Sequence, residues 1–155
     1  MVDVSDKAVT VRTAKAEGFI VLRPDVYDAV KSGAMKKGDV LAVAQLAGIT
    51  GAKETGRLIP LCHPLALSKI AVVCDLLDDR CAVRVRSEVK TEGKTGVEME
   101  ALTAVQIALL TVYDMCKSAG HEMEIGPVYL VEKTGGKHGR IERDSQHRVE
   151  WDGRI

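Results

Sequence analysis

The chain has 155 residues, enough for one domain with a substantial hydrophobic core. Lysine plus arginine and aspartate plus glutamate each total 22, so no overall charge would attract nucleic acid or an acidic membrane. Aromatic residues make up only 3% of the sequence, which argues against single-strand binding proteins that stack bases on aromatic side chains.

The beginning of the chain is polar and is followed by a short apolar run. We expect residues 1–17 to form a polar arm with a short extended piece at Val9–Arg12. Gly18–Leu22 should form a strand, and Pro24–Val30 a short helix with proline in its first turn. No apolar segment typical of a secretion signal occurs in the arm.

Small residues dominate the next segment, residues 40–56. Its hydrophobic periodicity is helical, but Gly48, Gly51 and several alanines make it a weak helix by intrinsic propensity. We expect these small side chains to let another backbone approach closely.

Residues 57–65 read RLIPLCHPL and place His63 between two prolines. Proline drives the residue before it into extended backbone, so Ile59 and His63 are both conformationally restricted. The segment is therefore a rigid support for His63. A purely structural histidine is the alternative interpretation.

Residues 67–77 and 81–89 are β-type runs joined by Asp78-Asp-Arg80, a pattern that predicts a hairpin. A long helix and a last strand at 128–131 follow. The order of strand, helices, two strands, helix and strand predicts a ferredoxin-like split βαβ sandwich of the α+β class, with helices on one face of an antiparallel sheet. We expect the other face to be apolar, which favours an oligomer.

The long helix lies within Thr95–Gly120. Thr95 and Glu98 have capping-box spacing, and Gly120 suits a left-handed helix end. No charge occurs from 101 to 113, and apolar residues surround the helix, so we expect burial on most sides. This uncharged run is shorter than the roughly 18 residues that a membrane span needs.

Asp114 is unusual because a carboxylate near a helix C-terminus opposes the helix dipole. Lys117, one turn later, can pair with it, so Asp114 is a candidate functional residue, and an ordinary surface ion pair is the alternative. Glu100 lies about 21 Å from Asp114 along the helix axis. One small-molecule site in one subunit could hardly use both carboxylates.

Basic residues recur in loops and at helix ends, where several together could bind a polyphosphate. Solvated lysines are the alternative for each one. Lys133 and Lys137 flank Gly135-Gly136, where backbone amides could approach an anion. The full set is Arg12, Lys36, Lys37, Lys53, Lys117, Lys133 and Lys137.

The cysteines are isolated, without a CxxC pair or a histidine at ligand spacing, so neither a zinc site nor a disulfide framework is predicted. They are Cys62, Cys74, Cys81 and Cys116. A reducing cytoplasm is favoured. Walker A, GxGxxG, GxSxG and HExxH motifs do not occur in the sequence.

Seven motifs occur in a recognisable order. They are MVDVS at 1–5, KKGDV at 36–40, LIPLCHPLALSK at 58–69, GKTGVEMEALTAV at 93–105, YDMCK at 113–117, IGPV at 125–128 and KTGGK at 133–137. Together they resemble the cyclic pyranopterin monophosphate synthase family of molybdenum cofactor biosynthesis. The resemblance covers roughly residues 1–139. It implies a single domain over residues 1–155, with residues 140–155 as a C-terminal tail without family pattern.

The resemblance implies a lyase that converts 3′,8-cyclo-7,8-dihydroguanosine 5′-triphosphate into cyclic pyranopterin monophosphate and releases pyrophosphate. It also implies a homohexamer, a trimer of dimers, with the active site between subunits. The implied catalytic residues are Asp114, Lys117, Lys53 and His63. The implied substrate-binding residues are Leu61, Cys62, His63, Met99, Glu100, Glu98, Arg12, Lys37, Lys133 and Lys137. We expect Glu100 and Asp114 to meet around one substrate only from different chains.

Two other classes of protein are alternatives. A non-catalytic ferredoxin-like module that senses a nucleotide would not need the acid–base set. A metal-dependent nucleotide phosphohydrolase ranks last, because the sequence lacks carboxylates at metal-ligand spacing. No cofactor, metal site, nucleic acid or membrane is predicted, although Mg²⁺ could accompany the triphosphate.

Overall fold

A computed structural model describes residues 1–136 and 139–143. The elements are β1 (Thr10–Val21), α1 (Pro24–Lys31), α2 (Val40–Leu58), β2 (Leu67–Leu77), β3 (Ala82–Gly93), α3 (Glu98–Cys116), β4 (Glu124–Thr134) and β5 (Ile141–Glu142). The strand order is β2-β3-β1-β4-β5, and neighbouring strands are antiparallel. Helices α2 and α3 pack on one face of the sheet. The predicted α+β, ferredoxin-like architecture is therefore confirmed.

Strand β1 begins at Thr10, within the extended piece expected at Val9–Arg12, and continues without a break through the strand predicted from Gly18. The second half of the predicted polar arm is thus a central strand, paired with β3 on one side and β4 on the other. Its inward side chains include Ala14 and Ala16, each 1% exposed. An alanine between polar residues adds little to the hydrophobic pattern of the sequence. Its packing in the core depends on its small size and its position, which that pattern does not show.

Helix α3 packs against the sheet and is buried on most sides, as predicted. Ala101, Ala104, Val105, Ala108 and Leu109 are all 0% exposed. The whole helix has 19 residues, more than the uncharged run, and by length and composition alone it is apolar enough to cross a membrane. More than half of that window is packed against the rest of the protein, as in the core helix of a soluble fold.

Both predicted ends of α3 were wrong. Val97 is the N-cap residue and gives no side-chain cap, while the Glu98 carboxylate accepts a hydrogen bond from Lys133 Nζ at 2.6 Å. An ion pair with β4 thus replaces the capping box. At the other end, Lys117 keeps right-handed backbone, and Gly120 does not adopt a positive φ.

Helix α2 forms over 19 residues despite its glycines, because it packs closely against α3. A Cβ atom on Gly48 would lie 2.8 Å from the carbonyl oxygen of Ala104. A Cβ atom on Gly51 would lie 2.8 Å from Cγ1 of Ile107. The predicted close approach is confirmed, and burial at this contact offsets the poor helix propensity.

The sheet face away from the helices is polar, which contradicts the apolar face expected from the sequence. On β3, valines at alternate positions point to the helices, so the intervening charged residues point outward. Asp75 pairs with Arg84 at 3.2 Å and with Arg86 at 2.8 Å on this face. The expectation was wrong because it used the total apolar content of the strands. It ignored the fact that successive side chains of a strand point to opposite faces of the sheet.

Exposed apolar side chains occur instead on the outer surface of the helices. A groove of ≈ 480 Å³ lies there, and its lining includes residues of α2 and Ile107 of α3. Leu46 is 65% exposed, Leu58 52% and the nearby Leu110 57%. We call this surface the helix groove.

Replacing Gly48 by valine should lower the free energy of unfolding by about 2–3 kcal/mol, because overpacked side chains force neighbouring backbone to move. The atom in the way is a main-chain oxygen that cannot rotate aside. Urea unfolding of the variant and wild type measures the difference. Gly93→Ala is the control, since its Cβ would meet nothing nearer than Thr91 Oγ1 at 3.8 Å. Equal stability of the two variants would contradict the close-packing interpretation.

Candidate active site

The predicted site residues form two groups at opposite ends of α3. The first, the cavity group, consists of Leu61, Cys62, His63, Glu98, Met99 and Glu100. The second, the aspartate clamp, consists of Lys37, Asp114 and Lys117. About 21 Å of helix axis separates Glu100 from Asp114.

The cavity group lines a space of ≈ 460 Å³ beside the start of α3. Helix α2 ends at Leu58, and the proline-containing segment after it turns back, with the amide of Cys62 bonded to the carbonyl of Ile59 at 3.1 Å. This turn brings Leu61, Cys62 and His63 to the helix that carries Met99. Leu61 and Met99 are both partly exposed, so the cavity has an apolar rim.

His63 is held by the beginning of the chain. Its Nε2 lies 2.8 Å from the carbonyl oxygen of Val2. A carbonyl oxygen only accepts, so Nε2 carries the hydrogen and donates. In a neutral ring, Nδ1 is then the nitrogen able to accept a proton.

The N-terminal segment also forms part of the cavity wall, which reasoning from residue chemistry missed. Val2, Val4 and Lys7 line the cavity, and Lys94 Nζ donates to the carbonyl of Ser5. The signal available in the sequence was the MVDVS motif of the family resemblance. The N-terminal segment makes these contacts through main-chain carbonyls, which every residue type has, so residue chemistry alone does not reveal them.

Glu100 is the most buried charged residue of the cavity group, with 3% of its surface exposed. Burial raises the pKa of its carboxyl, and the neighbouring Glu98 charge adds to the rise, while a backbone hydrogen bond opposes it. No cation pairs with Glu100 within the described part of the chain. A ligand with hydrogen-bond donors would therefore relieve the cost of burying this carboxylate.

Arg12 and Lys133 lie next to the cavity group, on β1 and β4. Lys133 Nζ is 2.6 Å from Glu98 Oε1, and both side chains are about 30% exposed or less. Arg12 donates to the carbonyls of Gly93 at 2.9 Å and Lys94 at 3.1 Å. Both cations are thus engaged by protein oxygens. The predicted ligand Lys137 lies outside the described residues.

The aspartate clamp joins three residues at the end of α3. Lys37 Nζ is 2.6 Å from Asp114 Oδ2, and Lys117 Nζ is 2.8 Å from Asp114 Oδ1. Hydrogen bonds from Lys117 and then Lys37 lower the pKa of Asp114 to about 2. The same contact with Asp114 raises the pKa of Lys117. Asp114 is therefore ionised, and Lys117 protonated, at neutral pH.

Lys53 belongs to neither group. It lies on the exposed side of α2, one residue before Glu54, which lines the helix groove. Among residues 1–136 and 139–143, Lys53 forms no ion pair, and no cluster of three His, Cys, Asp or Glu side chains has metal-site geometry. Its proximity to the groove places this cation beside an apolar surface.

Comparison with known proteins identifies close relatives. The model of the MoaC family matches residues 1–136. A cyclic pyranopterin monophosphate synthase of Methylobacterium sp. (strain 4-46) is 56% identical over 93% of this chain and 90% of the relative. Enzymes with the same name from Bacillus velezensis and Methylobacterium nodulans are 51% and 54% identical, over 97% and 93% of this chain and 90% of each relative.

The Cys62 thiol should react slowly with iodoacetamide, because alkylation requires the thiolate. Burial raises the pKa of Cys62, and the negative charge of Glu100 raises it further. The alkylation rate should still be rising at about pH 9, and Glu100→Gln should increase it about twofold at pH 8. Mass spectrometry of the labelled peptides measures this, with Cys81 as the internal reference. An unchanged Cys62 rate in Glu100→Gln would contradict the electrostatic contact.

Proposed function

Because this chain belongs to the MoaC family, we propose that it catalyses the reaction for which its relatives are named. It is then a lyase of molybdenum cofactor biosynthesis that forms cyclic pyranopterin monophosphate. The substrate is 3′,8-cyclo-7,8-dihydroguanosine 5′-triphosphate, and pyrophosphate is released. A nucleotide-sensing module would have no use for the aspartate clamp.

The observation that carries the catalytic assignment is the geometry of Asp114, whose two carboxylate oxygens each contact a lysine. An ionised carboxylate next to a protonated amine supplies a proton acceptor and a proton donor. In this proposal the bound substrate replaces a lysine contact, which raises the pKa of Asp114 from about 2 toward the range that proton transfer needs. Asp114 and Lys117 would exchange protons with the purine-derived ring as it opens and recloses. His63 is the third candidate for proton transfer.

The cavity group supplies the binding surface in this proposal. Leu61, Cys62 and Met99 would pack against the ring system, and the Glu100 carboxylate would accept hydrogen bonds from ring donors. Cations would hold the triphosphate and stabilise the charge that builds on leaving pyrophosphate. They are Arg12, Lys37, Lys53, Lys133 and Lys137.

We propose that the complete site lies between two subunits of a homohexamer, a trimer of dimers. The separation of Glu100 from Asp114 along one helix supports this arrangement, since both residues belong to the proposed site. The helix groove supports it too, because exposed apolar surface of this kind favours association. Lys53, next to the groove, could then reach the site of a neighbouring chain.

The proposed setting is the cytoplasm, where the four free cysteines would stay reduced. Mg²⁺ bound with the substrate would take oxygen ligands from the phosphates. No other cofactor enters the proposal.

Asp114→Asn should lower turnover about 10³-fold, because an amide cannot accept the proton at neutral pH. Substrate affinity and oligomeric state should stay close to those of wild type. Pyrophosphate release, with mass detection of the pterin product, measures the rate. Asp75→Asn is a matched control, since Asp75 also lies between two cations, Arg84 and Arg86, on the open sheet face. A near-normal rate for Asp114→Asn would remove Asp114 from the catalytic residues.

Glu100→Gln should also be nearly inactive, because a neutral amide replaces the buried carboxylate that accepts hydrogen bonds from the ring. Mixing it with Asp114→Asn therefore tests the shared site. If Glu100→Gln and Asp114→Asn subunits exchange at random, half of the dimers are mixed, and one of their two sites has both carboxylates. Activity should then recover to about a quarter of the wild-type value. Each variant alone, taken through the same exchange procedure, is the control. No recovery despite proven subunit exchange would place both residues in one chain's site.

A further inference from the structure

We propose that Lys7 binds a phosphate group of the substrate at the open side of the cavity. The family resemblance implied no role for Lys7. The inference rests on the proposed function and deepens it, because it adds a substrate-binding residue and decides which end of the substrate faces outward.

Lys7 differs from the other cations near the cavity in the partners of its side chain. Of the residues that line the cavity in the described part of the chain, Lys7 is the one lysine or arginine. Its ammonium group makes no hydrogen bond or ion pair within residues 1–136 and 139–143. Lys133 is engaged by Glu98, while Arg12 and Lys94 donate to main-chain carbonyls. Lys7 can therefore take a phosphate oxygen without first breaking a contact within the protein.

Two hydrogen bonds attach the N-terminal segment to two different walls of the cavity. His63 Nε2 donates to the carbonyl of Val2 at 2.8 Å, and Lys94 Nζ donates to the carbonyl of Ser5 at 2.5 Å. His63 follows α2 in the chain, whereas Lys94 lies between β3 and α3. The segment thus connects the two walls, and Lys7 lies two residues beyond the second attachment.

Turns within the segment limit how far Lys7 can move. The Asp3 carboxylate accepts from the amide of Ser5 at 2.8 Å and from its hydroxyl at 2.6 Å. The amide of Lys7 donates to the carbonyl of Val4 at 3.1 Å. A cation carried on anchored backbone loses less conformational entropy on binding than one carried on a free chain.

The charges of the cavity decide which part of the substrate Lys7 can bind. Glu100 is buried at 3% exposure and has no cation among the described residues, so a phosphate beside it would be repelled. Lys7 is exposed and lies at the open side of the same cavity. A substrate with its ring donors at Glu100 and a phosphate at Lys7 satisfies both groups, because phosphate oxygens form charge-assisted hydrogen bonds with an ammonium. The triphosphate end therefore faces outward.

Replacing Lys7 by methionine removes the ammonium and keeps an unbranched side chain. We expect KM to rise about tenfold or more, because a hydrogen bond to a charged group is lost, while kcat stays within about threefold of wild type. Lys7→Arg should keep most of the affinity, since a guanidinium also donates to phosphate. Initial rates of pyrophosphate release over a range of substrate concentrations measure both constants.

Lys90→Met is the matched control. Lys90 is exposed on the outward face of β3, and its side chain forms no hydrogen bond or ion pair with the rest of the described chain. Its kinetics should equal those of wild type. Thermal unfolding of all variants checks the fold, and Lys7→Arg keeps the test valid if Lys7→Met is unstable.

Binding measured without turnover separates a phosphate contact from a structural role. In an Asp114→Asn background, calorimetry with 3′,8-cyclo-7,8-dihydroguanosine 5′-triphosphate gives Kd with and without Lys7→Met. The second substitution should weaken Kd about tenfold. Added KCl should weaken binding less when Lys7 is absent, since salt screens the charge contact that has been removed.

Three results would overturn the role of Lys7. They are a KM and Kd of Lys7→Met within about twofold of wild type, an equal loss of affinity in Lys7→Arg, and a lowered kcat at unchanged KM. A wild-type protein that releases no pyrophosphate would instead refute the proposed function on which the inference rests.

Discussion

The close packing of α2 against α3 is the contact on which the rest of the structure depends. Gly48 allows main-chain atoms of the two helices to approach to a distance that no side chain at this position would permit. Gly51 likewise leaves room for the side chain of Ile107. Because α2 and α3 run in opposite directions, the segments at each end of α2 are brought to opposite ends of α3. The two site groups follow from this single geometry.

Each end of α3 then receives different chemistry. The segment after α2 places His63 and Cys62 beside the first turn of α3, where Glu100 is buried without a cation among the described residues. The loop before α2 places Lys37 beside the last turn, where Asp114 is held between two lysines. One end is therefore a pocket with an unpaired carboxylate, and the other is a clamped ion pair.

Much of the fold could be predicted from the sequence, and the errors have physical causes. The hairpin, the buried helix and the order of elements follow from hydrophobic periodicity, which is a local property. The part of β1 between Arg12 and Gly18 was not predicted because Ala14 and Ala16 are too small to give a strong apolar signal. The prediction of a capping box at Glu98 was wrong because Lys133, which is distant in sequence, donates a hydrogen bond to the Glu98 carboxylate.

Residue type and spacing are enough to predict the α+β architecture, the family and the candidate site residues. The sequence also indicated that Glu100 and Asp114 are too far apart along one helix to share a site within one chain. The pairing of each cation with its carboxylate could not be predicted in this way. The reason is that Lys37 and Asp114 are brought together by the packing of two helices, and such contacts between distant segments leave no local pattern.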